Sequence, residues 1–168
     1  MQAKDIMTRD VATVSPSANV REIAKLMASK RLSGLPVVTS DGRPVGMLTA
    51  SDLLAFAAFK RRAVVNGGCV VAVDGLQIPI WADDKTIATL TALMMRASAD
   101  PNLVIPSWKA RDGTFFELNA GDIATLANGL FAFIQTAFDV EGAVAADIAA
   151  ENITTLEEIE AADWPSND

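Results

Sequence analysis

The sequence contains no histidine, and it has a single cysteine among its 168 residues. The absence of histidine excludes Ser–His triads, imidazole metal sites and histidine-based acid–base catalysis. Because one cysteine cannot close a disulfide within the chain, Cys69 fits a reducing compartment. A site made only of carboxylates stays open, but no Asp or Glu spacing resembles an EF-hand loop. We therefore predict no metal site.

Long hydrophobic runs are also absent. The longest uninterrupted one is Leu53–Phe59, far short of the roughly eighteen residues that a membrane span requires. No basic start followed by an apolar core indicates export. With 51% apolar residues and a mean hydropathy of +0.27, the chain has enough apolar surface to bury a core. We expect a cytoplasmic protein without a membrane partner.

Charge is distributed unevenly along the chain. Residues 1–62 carry ten Lys and Arg against five Asp and Glu, a net charge of +5, whereas residues 63–168 carry four against sixteen, a net charge of −12. This asymmetry predicts two units that meet near Lys60-Arg61-Arg62, with boundaries 1–62 and 63–168. The basic part suits a small anionic ligand, and the acidic part makes nucleic acid an unlikely main partner.

The stretch from Pro36 to Asp52 organises the first unit. It predicts a strand at Val37-Val38, a turn at Asp41-Gly42 and a return strand at Val45–Leu48. A helix is predicted to begin at Thr49. Upstream, we expect a strand at Val11–Val14 and then an amphipathic helix. That helix is indicated by a capping box at Asn19 and Glu22, an apolar stripe at Val20, Ile23, Ala24 and Met27, and Lys30-Arg31 in its last turn.

Three stretches of this first unit resemble the signature of a CBS domain. They are Asp5-Ile6-Met7-Thr8, Ser33-Gly34-Leu35-Pro36-Val37-Val38, and Gly46-Met47-Leu48-Thr49-Ala50-Ser51-Asp52. The resemblance implies a β-α-β-β-α module that binds an adenosine ligand such as AMP, ATP or S-adenosylmethionine. It also implies that such modules pair face to face through their sheets. Because only one copy is found, the natural corollary is a homodimer through this module.

The resemblance implies roles for six residues in ligand binding. Thr49 would meet phosphate, Asp52 would accept hydrogen bonds from the ribose, and the backbone around Leu35, Pro36 and Val37, with Thr13 nearby, would hold the base. The N-terminus of a helix is compatible with phosphate, since its free N–H groups carry partial positive charge. An alternative is that Thr49 and Asp52 form only a capping box.

The second unit is predicted to contain two hairpins and several helices. The hairpins turn at Asp74-Gly75 and Asp112-Gly113, and the helices cover 84–98, about 120–150 and a short acidic stretch after Thr154 or Thr155. Asn66-Gly67-Gly68 is expected to end the preceding helix. Asp83 or Asp84 is expected to cap the first of these helices, whose apolar stripe is Ile87, Leu90, Leu93 and Met94. Asn119 and Asp122 form a capping box for the longest helix, which has a broad apolar face at Ile123, Leu126, Leu130, Phe131, Phe133, Ile134 and Phe138.

Several segments of the second unit resemble a small family of unknown function that tailed phages and prophages encode near tail genes. The segments that carry this resemblance are Val73–Leu76, Trp108–Gly113, Phe131–Phe138 and Thr155–Pro165.

Together these observations predict an α/β (α+β) protein: a CBS-like module followed by an α+β unit of two hairpins and a long helix. The leading function is non-catalytic, with an adenosine-ligand cleft fused to a unit that mediates assembly or binds a protein partner. The alternative is a phage or prophage tail-assembly or virion protein in which the CBS-like unit only dimerises. An enzyme is the least favoured function, since the sequence shows no nucleophile–base pair. Cys69 is predicted to be a buried small hydrophobic residue.

Overall fold

The computed structural model describes residues 2, 5–18, 23, 26, 27, 29, 30, 32–153 and 155–168. The chain forms two compact units. Unit 1 comprises Met1–Phe56 with Val144–Glu160, and unit 2 comprises Ala57–Ala143 with Ala161–Asp168. Both units contain helices. Among the described residues, unit 1 has one two-stranded antiparallel sheet and unit 2 has two. The predicted mixed α/β class is therefore confirmed.

The central hairpin of unit 1 is confirmed. Strand β1 (Gly34–Val38) pairs antiparallel with β2 (Pro44–Thr49), and the loop is closed by Thr39 N donating to Arg43 O at 2.9 Å. The predicted turn residue Gly42 has φ +79°, a left-handed conformation that glycine adopts without steric cost. Asp41 keeps a negative φ, because the loop spans five residues and is not a two-residue turn.

The predicted strand at Val11–Val14 is largely wrong. Only Val14 pairs, in a single parallel bridge to Val37, with Val14 N donating to Pro36 O at 3.0 Å and Val38 N donating to Val14 O at 2.7 Å. The bridge cannot extend forward in register, since Pro16 has no N–H to donate. Val14, Ile23 and Leu35 form the buried core of this region.

The helix that follows Val14 is described only in part. Ile23, Leu26, Met27, Ser29 and Lys30 are helical, and Ile23 is buried, as the apolar stripe predicts. The predicted capping pair Asn19 and Glu22, together with Val20, Ala24 and Arg31, lies outside the described residues.

Helix α1 (Ala50–Asn66) begins directly after β2. Lys60-Arg61-Arg62 does not lie at the C-terminus of this helix, because Ala63-Val64-Val65 continue it and its last turn contains no basic residue. Asn66-Gly67-Gly68 ends the helix as predicted, with Gly68 at φ +72°. The predicted boundary between residues 62 and 63 falls inside this helix and remains a prediction.

Unit 2 has a larger core built on two hairpins. Strand β3 (Cys69–Val73) pairs with β4 (Leu76–Ile80), and β5 (Val104–Lys109) pairs with β6 (Phe115–Asn119), with a register shift between Ile105 and Trp108. On β3 the buried residues alternate, which places Cys69, Val71 and Val73 in the core. Asp74 and Gly75 form the turn with φ 48° and 83°, as the Asp-Gly signal predicts.

Helices α2 (Asp84–Ala99) and α3 (Ala120–Ala149) cover these hairpins. Asp83 caps α2 by accepting from Thr86 N at 2.7 Å, and Leu90 and Leu93 are buried on the predicted stripe. Asn119 and Asp122 cap α3 reciprocally, since Asp122 Oδ2 accepts from Asn119 N and Asn119 Oδ1 accepts from Asp122 N. These predicted caps are confirmed.

By length and composition, α3 is apolar enough to cross a membrane. Its Ile123, Leu126 and Leu130 are fully buried in the core of unit 2. Phe131 and Phe138, which the predicted stripe includes, are 36% and 47% exposed. The short acidic helix α4 (Leu156–Glu160) is confirmed, with Thr155 N donating to Glu158 Oε2 at 3.0 Å.

Candidate functional site

The junction of β2 and α1 carries two of the predicted ligand residues. Thr49 is half-buried at the end of β2, and Asp52 is exposed in the first turn of α1. Asp52 Oδ2 accepts from Thr49 N at 2.6 Å and from Thr49 Oγ1 at 2.9 Å. In the described conformation the pair therefore caps the helix, and Asp52 still presents its second carboxylate oxygen at an exposed position.

The other four predicted residues lie on or beside β1. Leu35 is fully buried, so its side chain is part of the core, whereas Pro36 and Val37 are half-buried. Val14 lies at the outer edge of β1, where its N–H donates to Pro36 O and its carbonyl oxygen accepts from Val38 N. Thr13 directly precedes this bridge. The backbone of β1 is thus paired on both sides, with Val14 on one and β2 on the other.

A cleft of about 460 Å³ lies along this outer edge of β1. Its walls are Thr13–Ser17 and Val38–Ser40. Thr13 is the one member of the predicted set that lines it. The β1–β2 hairpin separates Thr13 from Thr49, because Val14 bridges one edge of β1 while Thr49 is paired opposite Gly34 on the other. The structure therefore does not gather all six residues around a single cleft.

The walls of this cleft are rich in hydroxyl groups that were not among the predicted site residues. Ser15 Oγ and Ser17 Oγ are 3.2 Å apart, and Thr39 Oγ1 donates to Asp41 Oδ1 just beyond the cleft. That hydrogen bond lowers the pKa of Asp41. The sequence signal for these groups is the pair of stretches Ser15-Pro16-Ser17 and Thr39-Ser40. Each directly follows a residue of the Val14 bridge or β1.

Arg61 and Cys69 of unit 2 are both held in structural environments. Arg61 forms a salt bridge to Glu141 at 2.5 Å, and its guanidinium lies 4.1 Å from the Phe138 ring centre. Burial raises the pKa of the Cys69 thiol to about 11, although the nearby charge of Arg111 acts in the opposite direction. Cys69 is therefore buried and protonated at neutral pH, as predicted for a structural cysteine.

Within the described part of the chain, no cluster of three or more His, Cys, Asp or Glu residues is placed to hold a metal ion. The chemistry available at the β1–β2–α1 site is thus hydroxyl, carboxylate and helix N-terminus. These groups suit hydrogen bonding to a polar ligand.

Comparisons with known proteins match the two parts of the chain separately. The CBS domain model matches residues 3–58, and the model of a domain of unknown function, DUF4376, matches residues 50–163. The predicted order, a CBS domain followed by a domain of unknown function, is confirmed. The link of the second domain to phages is not part of this match.

Curated relatives match mainly in the first unit. An inosine-5′-monophosphate dehydrogenase of Korarchaeum cryptofilum is 44% identical over 50 residues, which is 30% of this chain and 10% of the enzyme. A homoserine O-acetyltransferase of Methanohalobium evestigatum is 38% identical over 56 residues, covering 33% and 12%. The chain thus spans about a tenth of the length of these two relatives. A CBS domain-containing protein of Dictyostelium discoideum is 42% identical over 53 residues, covering 32% and 37%.

A solved structure described as CBSX2 in complex with AMP aligns with 75% of this chain and 95% of its own, at 21% identity and a TM-score of 0.30. Agreement at this level carries no conclusion about the ligand of this chain. The model of the unknown-function domain covers more than half of the 168 residues. The chain therefore belongs to the DUF4376 family of domains of unknown function, and it carries a CBS domain at residues 3–58.

Proposed function

We propose that this chain is a non-catalytic regulatory protein whose CBS domain binds an adenosine nucleotide such as AMP or ATP, or S-adenosylmethionine. The observation that carries the proposal is the CBS match to residues 3–58, which includes Thr49 and Asp52 at an accessible helix N-terminus. Phosphate at this point would meet the free N–H groups of the first turn of α1. The exposed carboxylate of Asp52 would accept hydrogen bonds from ribose hydroxyls.

The cleft beside Thr13 supports the same ligand class. Its volume of about 460 Å³ falls within the range of small-molecule sites. Its lining combines apolar residues such as Val14 and Val38 with the hydroxyl groups of Thr13, Ser15 and Thr39. A flat, neutral base would stack against the apolar side chains and hydrogen-bond to the hydroxyls. We propose that the base lies at this edge of β1.

The curated relatives support a non-catalytic role for the CBS domain. Segments of 50 and 56 residues match a dehydrogenase and an acetyltransferase, two enzymes that catalyse different reactions. A module shared by different chemistries, and covering about a tenth of each enzyme, is more readily a regulatory part than a catalytic one. We therefore propose that the similarity to these two enzymes reflects a shared regulatory module and that this chain does not catalyse their reactions.

We further propose that the CBS domain pairs with a second copy of the chain. The CBS model matches one segment, and the paired modules implied by the family then require two chains. Val45 and Met47 on β2 are 55% and 59% exposed. Apolar side chains exposed on a short strand are suitable for burial in a symmetric interface. The DUF4376 part is proposed to mediate assembly or to bind a protein partner, in the cytoplasm.

A second candidate function is favoured by the hydrogen bonds between Thr49 and Asp52. These bonds satisfy Thr49 N and Oγ1 within the chain, as expected of a cap that needs no ligand. In this alternative the CBS domain serves only for dimerisation, and the protein is a structural or assembly component, for example of a phage tail or virion.

Thermal denaturation in the presence of AMP, ATP or S-adenosylmethionine separates the two functions. A specific ligand raises Tm progressively with its concentration, because it binds the folded state. The matched variants are Asp52→Ala and Asp122→Ala, since each removes a carboxylate that caps a helix by accepting from the residue three positions earlier. We expect each to cost about 1 kcal/mol of unfolding free energy.

Only Asp52→Ala is expected to remove the ligand response. If none of the three ligands changes Tm of the wild type, the dimerisation function replaces the regulatory one. If Asp52→Ala retains the full response, Asp52 is a cap and not a ligand residue.

A further inference from the structure

A second depression in unit 1 borders the first turn of α1 but is lined by different residues from the proposed nucleotide site. Its volume is about 370 Å³, and it is lined by residues from the first helical region, from α1 and from the end of α3 with the chain that follows. Its lining shares no member with the six predicted ligand residues. Buried Leu53 and Ile148 line its interior, and Leu54 is 41% exposed.

The lining is almost entirely apolar. Two of the lining residues are polar, Ser33 and Glu151, and the others are Met, Leu, Ile or Ala. We call this depression the apolar groove. A concave apolar surface with one charged group suits an elongated apolar ligand whose polar group sits at a defined end.

Glu151 is placed at the groove by an unusual backbone conformation. It lies two residues after Ala149, the last residue of α3, and has φ 60°, in the left-handed region. The chain leaves the helix there, with Asn152 N and Ile153 N both donating to Asp147 O. Helix ends of this kind normally use glycine, because a side chain is strained at positive φ. Because glycine would avoid this strain, the glutamate is an outlier that motivates a functional hypothesis.

The charge of Glu151 is also unfavourable where it stands. The C-terminus of a helix carries partial negative charge, so a carboxylate next to it is repelled and a cation is attracted. Asp147, one turn earlier, adds a second negative charge, and its Oδ1 accepts from Asn152 Nδ2. Among the residues that the structure describes, no side chain donates a hydrogen bond to the Glu151 carboxylate. A bound cation would be attracted both by the partial negative charge of the helix end and by the carboxylates of Glu151 and Asp147.

We propose that the apolar groove binds an amphipathic monocation, a molecule with an alkyl or aryl body and an ammonium group at one end. The body lies against Leu53, Leu54 and Ile148, and the ammonium group is paired with the Glu151 carboxylate at the end of α3. An apolar molecule that ends in a carboxylate binds more weakly because the two negative charges repel. A neutral analogue of the same length gains the apolar contacts but lacks the ion pair.

The test uses three probes of equal chain length: n-hexylammonium, 1-hexanol and hexanoate. Each is titrated into the full-length protein at about neutral pH, and the methyl resonances of Ile148 and Leu53 are followed by NMR. We expect hexylammonium to bind about three- to fivefold more tightly than hexanol, the range that a partly exposed ion pair supplies. Hexanoate is expected to bind most weakly.

Matched variants assign the preference to one carboxylate. Glu151→Gln is expected to make hexylammonium and hexanol bind with equal affinity, whereas Glu157→Gln, which alters an exposed carboxylate on α4 outside the lining, leaves the preference unchanged. Glu151→Gly is expected to raise Tm, since glycine relieves the positive φ, and to lose the preference as well. Leu54→Ala is expected to weaken hexylammonium and hexanol by the same factor.

Equal affinity for hexylammonium and hexanol in the wild type overturns the proposal, as does the absence of binding by all three probes. Retention of the preference in Glu151→Gln overturns the role of that carboxylate. None of these outcomes depends on the nucleotide site, because AMP, ATP and S-adenosylmethionine are absent from the experiment.

Discussion

Strands β2 and β3 are short hairpin strands in the two different units, and they bury their side chains very differently. On β3 the side chains of Cys69, Val71 and Val73 face a core that includes Leu126 and Leu130. On β2 the first four residues are exposed, including Val45 and Met47. One side of β3 is therefore covered by its own unit, whereas β2 leaves apolar side chains accessible.

The difference is local to these two strands. Unit 2 also exposes apolar side chains on its second hairpin, where Val104 and Phe115 are 49% and 63% exposed. Unit 1 keeps two concave surfaces and an apolar strand open to solvent. These surfaces of unit 1 are the ones that we propose for ligand binding and pairing.

The largest expected effect comes from a matched pair of truncations, Leu130→Ala in the core and Met47→Ala on β2. Leu130 is fully buried, so we expect a loss of about 2–5 kcal/mol of unfolding free energy. Met47→Ala is expected to cost no more than about 0.5 kcal/mol when the protein is dilute. Urea denaturation measures both values.

Protein concentration sharpens this comparison. If a second copy covers β2, the cost of Met47→Ala grows with protein concentration, since dimerisation stabilises only the folded state of the wild type. The cost of Leu130→Ala stays the same. A Met47→Ala cost that is small at every concentration would contradict the proposed pairing through β2.

The second prediction concerns the tail of unit 2. Asn167 Nδ2 donates to Val64 O at 2.7 Å and also to Gly68 O, and Arg111 Nη1 donates to Gly67 O. These bonds satisfy carbonyl groups at the end of α1. We expect Asn167→Ala to lower the unfolding free energy by about 1–3 kcal/mol, because it removes the side-chain donor from Val64 O and Gly68 O. Among the described residues, Val64 O then keeps only its bond from Gly67 N, at 3.1 Å.

Its control is Asp168→Ala, which removes an exposed side chain and should be nearly neutral. Equal stability of Asn167→Ala and the wild type in thermal denaturation would show that unit 2 is not closed by its own tail.

The smallest effect is a pH dependence that Cys69 introduces. Its pKa in the folded state is raised from 9.0 to about 11, so the folded protein retains the thiol proton at a pH where the unfolded chain has lost it. The stabilisation is fully present below pH 9.0 and is lost as the pH rises through about 11. Between about pH 8 and pH 10 we expect a loss of about 1 kcal/mol that Cys69→Ala lacks.

Urea denaturation of the two proteins at these pH values measures the difference, and native Cys69 should resist iodoacetamide throughout. Rapid alkylation of the folded protein at neutral pH would contradict the burial of this thiol.

The three hairpins were predictable from sequence because each contains an Asp-Gly pair at its turn. Gly42, Gly75 and Gly113 have φ of 79°, 83° and 90°, so in each case the glycine supplies the left-handed residue. The caps at Asp83 and Asn119 were predictable for a similarly local reason, since a side chain and a backbone N–H only a few residues away decide them.

Features set by distant contacts were not predictable in the same way. The strand at Val11–Val14 was overestimated, because β propensity does not reveal that only Val14 reaches β1. The hydroxyl-lined cleft requires Ser15 and Thr39 to meet across that bridge, which no local pattern encodes. The stripe of α3 was also too wide, since periodicity does not distinguish buried Phe133 from exposed Phe138.

The most direct test of the central claim is a titration of AMP into the uniformly ¹⁵N-labelled full-length protein, with the backbone amides followed by NMR. We predict saturable shifts of amides from Thr13 to Ser17, along β1 and in the first turn of α1, with the amides of β3–β6 unchanged. The absence of saturable shifts, or shifts confined to unit 2, would contradict the assignment of nucleotide binding to the CBS domain.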